Sequence, residues 1–421
     1  MFFGIAVFLL GSVLCGIAWS MPALIFFRAL QGIGAGAVQP MSITMVGDLY
    51  SVEERARVQG YVASVWGAAS VIGPTLGGVF SEYLSWRWIF FINLPLGAIA
   101  AWVLARRFKE QVKRSSHKID YVGAALLTAS SSLIILGLLE GGVAWSWVSV
   151  PSVLILTMGV VLAVVFVLME RRAAEPILPL WVFRHRTLTG GNLVSLCIGA
   201  LMIGLSSYVP TYAEGVLGTG ALVAGFALAA LTIGWPIAAT FSGRLYMRIG
   251  FRDTALIGSG LIVVGAVLCV LLTQRAPIWA VAGACFVVGA GLGLASSPTM
   301  VAIQSVVGWE RRGVVTATNM FCRSIGSAVG AAVFEPSPTP RWLPLRRPAG
   351  LGGQPVARQR RRDEPGARRP GRGRTAAVVA FVRTALYDAT HNIFLALLLV
   401  AVLGVGAMLL MPRRTKELTF D

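Results

Sequence analysis

A single arginine stands inside a long apolar stretch near the start of the chain. Arg28 lies six residues beyond Pro22, which is about 9 Å along a helix at 1.5 Å per residue. A guanidinium group at that depth in a lipid bilayer is costly unless it faces water, a carboxylate or a polar cavity. Its long side chain also permits a second arrangement, in which the charged group reaches back to the lipid headgroups. The sequence therefore predicts either a cavity residue or an interfacial anchor.

Glycines follow Arg28 at short intervals and return in the next apolar stretch. The first group is Gly32, Gly34 and Gly36, and the second is Gly67, Gly73, Pro74, Gly77 and Gly78. Glycines on one helix face let a neighbouring backbone approach closely, and a proline inside a helix removes a hydrogen bond and bends it. The second group is thus interpreted as a hinge, or as a tight packing motif without a gating role. The string GIGAGA is no dinucleotide site, because it lies within a helix rather than after a strand.

The elements that position these residues are long apolar helices. The 421 residues are 56% hydrophobic and only 13% charged, which is too little polar surface for a soluble protein of this size. A spanning helix needs about 20 apolar residues, and only helices satisfy the backbone in segments of this length. The sequence predicts an all-α polytopic membrane protein with twelve spans, at 1–20, 22–47, 59–81, 87–105, 121–140, 148–169, 190–213, 219–242, 254–274, 278–305, 313–334 and 391–411.

The basic residues of the loops give the orientation of these spans. With Met1 in the cytoplasm, and leaving aside the anomalous loop before the last span, 20 Lys and Arg fall in inside loops and two, Arg87 and Arg275, fall outside. Cytoplasmic loops carry such an excess, so both termini are predicted to be cytoplasmic. The five cysteines lie within apolar spans and the three histidines lie far apart. We therefore expect no metal site, no catalytic constellation and no enzymatic activity.

An internal repeat divides the chain into two halves. A shift of 257 residues places Gly32, Gly34 and Gly36 on Gly289, Gly291 and Gly293, and it also places Arg55 on Arg312. Two such halves are typical of transporters that alternate access between the two sides of a membrane. The sequence predicts a first helical bundle at 1–106, two inserted helices with flanking cytoplasmic loops at 107–187, and a second bundle at 188–421.

The motifs resemble those of the major facilitator superfamily, and within it the 14-helix drug:proton antiporters, often called the EmrB/QacA type. In helix 4 the positions that carry the resemblance are Leu24, Arg28, Gln31, Gly32, Gly34, Ala35, Gly36 and Ala37. In helix 5 they are Gly67, Gly73, Pro74, Gly77 and Gly78, followed by WRWIFFINLPLG at 86–97. The loop motif GRLYMRIGFR keeps Gly243, Leu245, Arg248, Gly250 and Arg252. Met247 stands where the loop motif has an aspartate.

The resemblance implies a major facilitator fold with about 12 of an expected 14 helices, since Met1 falls in what resembles helix 3. It implies a monomeric exporter of small amphipathic molecules such as drugs, driven by the proton gradient, without a cofactor or a nucleic-acid partner, in a bacterial inner membrane. Arg28 would couple the proton, Gly67 to Gly78 would control which side is sealed, and the Gly243–Arg252 loop would act as a latch. Substrate-binding residues stay unassigned, although Tyr208, Tyr212, Trp235 and Phe321 lie in the spans. Alternatives are an inactive remnant, a binding-only membrane protein, or an exporter of a lipid or siderophore.

One segment departs from the rest of the chain. The residues from Pro336 to Arg374 contain eleven Arg, eight Pro and only two acidic residues, within a predicted loop at 335–375. Such a composition is typical of disorder, and it would also arise from a shifted reading frame in GC-rich DNA. A third interpretation, nucleic-acid binding by a basic run, is disfavoured by the extracytoplasmic position and the single aromatic residue, Trp342.

Overall fold

The regular secondary structure of this protein is helical throughout the part that the structure describes. The computed structural model describes residues 1–107, 120–141, 144–173, 176–334 and 372–413. Apart from an isolated bridge between Gly141 and Trp145, these ranges form helices and their connections. Much of the Arg- and Pro-rich segment, at 335–371, lies outside the described residues, as do the basic residues at 108–119 and 414–421.

The helices of the described ranges follow the predicted spans in order. They are α1 Phe2–Gly16, α2 Met21–Leu49, α3 Val52–Val79, α4 Trp88–Phe91, α5 Asn93–Arg107, α6 Tyr121–Glu140, α7 Val150–Glu170, α8 Arg186–Gly215, α9 Ala221–Ile249, α10 Phe251–Val270, α11 Ile278–Ser305, α12 Arg312–Phe334 and α13 Arg372–Leu409. Each of the twelve predicted spans corresponds to one of these helices, with α4 and α5 together forming the fourth. Within the described ranges, nine of the segments are long and apolar enough to cross a membrane. The prediction of an all-α polytopic membrane protein is confirmed.

The last helix begins earlier than its apolar sequence indicates. The predicted span starts at 391, whereas α13 starts at Arg372. Two polar side chains in the turns before residue 391 donate hydrogen bonds to the loop that follows α10. Arg383 donates from Nη2 to the carbonyl of Gln274, and the hydroxyl of Tyr387 donates to the carbonyl of Leu272. These tertiary hydrogen bonds hold the polar turns of α13 that lie immediately before the predicted span.

The helices pack in two groups, with a pair between them in sequence. The first group is α1 to α5, in which α1 packs on α2, α4 and α5, and α2 contacts α3. In the second group α8 packs on α12 and α13, and α11 packs on α9 and α10. The pair α6 and α7 packs together, and α6 also touches α12. Contact between the groups is made mainly by α3 on α9, with a smaller contact of α2 on α12.

The core of the second group is dense, and small residues bring its helices close. Tyr212, Phe394 and Leu292 are almost completely buried there. By contrast, large apolar side chains cover the outer surface, among them Val148 and Trp19. A soluble protein rarely exposes so much contiguous apolar surface. Outward-facing apolar side chains around a packed interior are the arrangement expected of a protein whose surface meets lipid.

Packing of the glycine motifs supports the internal repeat in part. A Cβ on Gly34 would lie 2.3 Å from the backbone nitrogen of Phe8 in α1, and one on Gly291 would lie 2.7 Å from the carbonyl of Gly258 in α10. Both glycines therefore bring the equivalent helices of each half into close contact.

The flanking glycines differ between the halves. Gly289 and Gly293 lie against the backbone of α9, at 2.1 Å and 2.3 Å from a hypothetical Cβ. No described atom comes within 4 Å of the equivalent positions at Gly32 and Gly36. The second half thus shows the full packing of this motif, whereas the described part of the first half shows one side of it.

Candidate functional site

A cavity lies where the two groups of helices meet. Its volume is about 230 Å³. One side is formed by α2 and α3 of the first group, and the other by α8, α9, α11 and α12 of the second. The described lining residues are Gln39, Ile43, Val46, Val62, Gly67, Met202, Leu231, Thr232, Trp235, Ala239, Ser296, Ser297, Met300, Met320 and Arg323. The cavity therefore lies between the first and the second group of helices.

The walls of this cavity are mainly apolar. Three methionines line it, and their flexible side chains adapt to ligands of differing shape. Trp235 from α9 adds the one aromatic ring among the described lining residues. Gln39, Thr232, Ser296 and Ser297 supply hydrogen-bonding groups. A mostly apolar pocket with a few polar groups is the usual form of a small-molecule site.

One charged side chain, Arg323 of α12, is found among the described lining residues. It lies eleven residues beyond Arg312, the first residue of this 23-residue helix. The distance is about 16 Å along the axis at 1.5 Å per residue, close to the middle of the helix. Its buried Nε has no hydrogen-bond partner within the described chain.

The backbone around Arg323 is held firmly against α8. A Cβ on Gly199 would lie 2.0 Å from the carbonyl oxygen of Arg323, and one on Gly326 would lie 2.0 Å from the carbonyl of Leu196. The hydroxyl of Ser327 donates to the carbonyls of both Gly199 and Arg323, at 3.1 Å and 3.2 Å. The base of the arginine side chain is therefore fixed by two glycine contacts and a bridging hydroxyl.

Arg28, the arginine singled out from sequence, lies away from this lining. Its Nη1 donates to Gln31 Oε1 at 2.9 Å, and its guanidinium carbon lies 5.8 Å from the centre of the Phe90 ring. Gln31 donates in turn to Ser12 of α1, which also accepts from Asn93 of α5 at 3.2 Å. Arg28 is thus the exposed end of a polar network that joins α1, α2 and α5.

The predicted hinge motif lies partly in the contact between α3 and α9, which is called the seam between the two groups. Gly67 lines the cavity, and a Cβ there would lie 2.8 Å from the carbonyl oxygen of Thr232 in α9. Two turns earlier, a Cβ on Gly60 would meet the Thr240 side chain. These two glycines allow α3 to pack directly on α9.

The remaining hinge positions differ in their surroundings. No described atom lies within 4 Å of a Cβ built on Gly73, and Gly77 meets only Ile89 at 3.9 Å. Pro74 and Gly78 belong to the helical backbone of α3, but their side-chain positions lie outside the described part of the structure. Within the described motif, Gly67 alone makes a close contact with the second group.

The predicted loop motif GRLYMRIGFR forms the end of α9 and the start of α10. Gly250 has φ of +91°, a conformation that other residues rarely adopt. Gly243 is buried, Arg248 is exposed and Arg252 is half-buried. This tight connection joins two helices of the same group, and none of its residues lines the cavity within the described set.

A cluster of polar contacts, which the sequence did not predict, also joins the two groups. It is called the inter-group cluster and is formed by Gly47, Asp48, Arg55, Gln304 and Arg312. Arg312 Nη1 lies 3.3 Å from Asp48 Oδ1 and donates to the carbonyl of Gly47 at 3.1 Å. Arg55 Nη2 donates to the same carbonyl. A Cβ on Gly47 would lie 2.7 Å from the Gln304 side chain.

Four residues of the inter-group cluster are related in pairs by the shift seen in the sequence. The shift of 257 residues maps Gly47 onto Gln304 and Arg55 onto Arg312. Gln304 is fully buried and donates to Thr316 at 3.0 Å. The cluster therefore ties equivalent ends of the two halves together, beside the cavity.

Buried amides also join α8 to α12. Asn319 accepts from Ser195 at 2.8 Å and donates to the carbonyl of Gly191 and the side chain of Asn192. Sequence reasoning missed Arg323, Gln304 and Asn319. The signal was present, because each is a charged or amide residue inside a predicted span, as Arg28 is. Of the four aromatics noted from the sequence, Trp235 lines the cavity, whereas Tyr212 is buried and donates to the Thr273 carbonyl.

Comparison with known proteins gives one family. The family model described as Major Facilitator Superfamily matches residues 1–331. "Multidrug resistance protein 3" of Bacillus subtilis is 33% identical over 335 residues, and "Multidrug transporter protein MdtP" of the same organism is 32% identical over 331 residues. The "MFS-type efflux transporter ffsH" of Aspergillus flavipes is 30% identical over 340 residues. Each alignment covers 78–79% of this chain, but only 65%, 61% and 60% of these relatives.

Proposed function

Because the chain belongs to the Major Facilitator Superfamily, we propose that it exports small amphipathic molecules across the membrane in exchange for protons. The observation that carries the proposal is the cavity between the two repeat halves, with its apolar walls and few polar groups. Two relatives have the word "multidrug" in their names and a third has the word "efflux", and these names support the export of drug molecules.

The contacts between the groups suggest how access would alternate. In this conformation the inter-group cluster ties α2 to α11 and α12, and Gly67 packs α3 on α9. Rocking of the two groups would break the cluster and open a path from the cavity to the side on which the cluster lies. From the positive-inside bias of the loops, we propose that this is the cytoplasmic side.

For coupling to protons, Arg28 stays the proposed residue from the helix-4 motif. Its guanidinium and the Gln31–Ser12–Asn93 network give a chain of polar groups within the first group of helices. A change in the charge near Arg28 would alter this network and hence the packing of α1 on α2. We also propose a monomer in a bacterial inner membrane with both termini in the cytoplasm.

Transport by the purified chain in liposomes tests the proposal. The lumen is made acidic, and two amphipathic probes with permanent charge are added outside: ethidium, a cation, and 1-naphthalenesulfonate, an anion. We expect one of the probes to accumulate in the lumen above its level in protein-free liposomes. Nigericin, which dissipates the pH gradient, should abolish the accumulation.

Three results would count against parts of this proposal. Accumulation that persists with nigericin would leave transport in place and remove the proton coupling. Equal levels of both probes in liposomes with and without the chain would contradict export of amphipathic molecules. An Arg28→Gln variant that still accumulates the probe under a pH gradient, with undiminished proton flux, would remove the role of Arg28.

A further inference from the structure

The charge of the cavity points to the class of its ligand. Within the described lining, Arg323 is the sole charged residue, and no ion pair joins it to a described carboxylate. Arginine stays protonated under all ordinary conditions. The cavity therefore carries a fixed positive charge near the middle of α12, between the two groups of helices.

An uncompensated guanidinium in this position is energetically costly. Charged side chains inside a membrane protein are usually paired with an opposite charge or with water. The nearby polar residues supply dipoles rather than a negative charge, and the Thr232 hydroxyl already donates to the Ala229 carbonyl at 2.8 Å. A bound anion would offset the cost of the arginine charge.

The arginine is also fixed in a way that suits binding. Its backbone is clamped against α8 by Gly199 and Gly326 and bridged by Ser327. This close packing holds the backbone of Arg323 in place before a ligand binds, and such preorganisation favours affinity. The planar guanidinium matches the oxygen pairs of carboxylates and sulfonates.

Around this charge the walls are suited to an apolar body. Trp235, Met300, Met320 and Leu231 surround the cavity from three helices. We propose that the cavity takes amphipathic organic anions, with a carboxylate or sulfonate group at Arg323 and a ring or short chain against Trp235 and the methionines. This inference rests on the proposed function, because it names the substrate class of the same site.

Binding to the purified chain in detergent tests the inference without transport. The probes are 1-naphthalenesulfonate and 1-naphthyltrimethylammonium, which share one ring system and carry permanent opposite charges. Calorimetric titration should show the anion binding at least tenfold more tightly than the cation. An Arg323→Gln variant should lose about tenfold to a hundredfold in affinity for the anion, the usual range for a hydrogen bond to a charged group.

Two further variants separate charge from folding. Arg323→Lys keeps the positive charge and should retain part of the affinity for the anion. Arg275→Gln removes an exposed arginine from the loop between α10 and α11, so its affinity should equal that of the unchanged chain. Thermal unfolding in detergent shows whether each variant is folded. The comparison of anion and cation affinity on the unchanged chain requires no variant, so it tests the inference even if a variant does not fold.

The outcomes distinguish this inference from the proposed function. Absence of anion binding, a preference for the cation, or equal affinity in the Arg323→Gln variant would overturn the inference, and ethidium accumulation in liposomes would then still support export. Anion binding that depends on Arg323, combined with no accumulation of either liposome probe, would uphold the inference and contradict the export of these compounds.

Discussion

A methyl group added at Gly67 tests whether the seam between α3 and α9 controls transport. A Cβ at this position would lie 2.8 Å from the Thr232 carbonyl oxygen, whereas ordinary contact begins near 3.4 Å. The two helices must therefore separate by about 0.6 Å or distort, and overpacking of this kind costs about 1–3 kcal/mol. Alanine regains about 1 kcal/mol as a better helix former than glycine.

Because α3 is helical in both conformations, the helix-propensity gain of alanine is common to them, and the overpacking cost falls only on the conformation in which α3 and α9 are in contact. A cost of about 1–3 kcal/mol lowers the population of this conformation relative to the separated one by a factor of about 5–160. Because the cycle must pass through both conformations, the Gly67→Ala variant should transport probe several-fold more slowly. The assay is the initial rate of pH-driven probe uptake into liposomes, at matched protein content.

Gly225 in α9 provides the matched control. It is an exposed helical glycine with no described atom within 4 Å of a Cβ. Gly225→Ala should therefore keep the transport rate and raise the thermal unfolding temperature slightly. Equal rates for Gly67→Ala and Gly225→Ala would refute the role of the seam.

Three further predictions concern contacts between helices. For the partly exposed Asp48–Arg312 pair, Asp48→Asn should lower the free energy of unfolding by only about 0.5–1 kcal/mol. The double variant that combines Asp48→Arg with Arg312→Asp should unfold at a higher temperature than Asp48→Arg or Arg312→Asp alone. A double variant no more stable than these single variants would argue against the ion pair. Asn319→Leu should cost about 1–3 kcal/mol, because the partners of its buried amide lose their hydrogen bonds; unchanged thermal unfolding would contradict this. Gly326→Ala, whose Cβ would lie 2.0 Å from a backbone oxygen, should reduce the yield of folded protein, whereas Gly406→Ala, with no described atom within 4 Å, should not.

The membrane helices could be predicted from sequence because hydropathy reports a physical requirement of the bilayer. Inside lipid, the backbone of a long apolar segment must form a helix, because no water is present to satisfy its hydrogen bonds. All twelve predicted spans correspond to helices in the described chain. The start of α13 could not be predicted in this way. The helical turns that precede residue 391 include Arg383 and Tyr387, which make hydrogen bonds to a distant loop, and such bonds leave no mark on hydropathy.

The candidate site was harder to predict than the helices. Arg28 and Arg323 are both arginines within predicted spans, and sequence alone does not show which of them faces a cavity. The answer depends on the rotation of each helix, which is set by contacts such as Gly199 on the Arg323 carbonyl and Gly326 on Leu196. The repeat was visible in the glycines, but the meeting of Gly47 with Gln304 required the two halves to be placed together.

Coupled uptake into liposomes is the most direct test of export through the cavity between the halves. The measurement follows 1-naphthalenesulfonate entering an acidic lumen and protons leaving it, in the same liposomes that carry the purified chain. We expect both fluxes to rise together above those of protein-free liposomes, and both to fall when nigericin is added. Probe and proton fluxes no greater than those of protein-free liposomes, for this anion and for ethidium alike, would contradict the account.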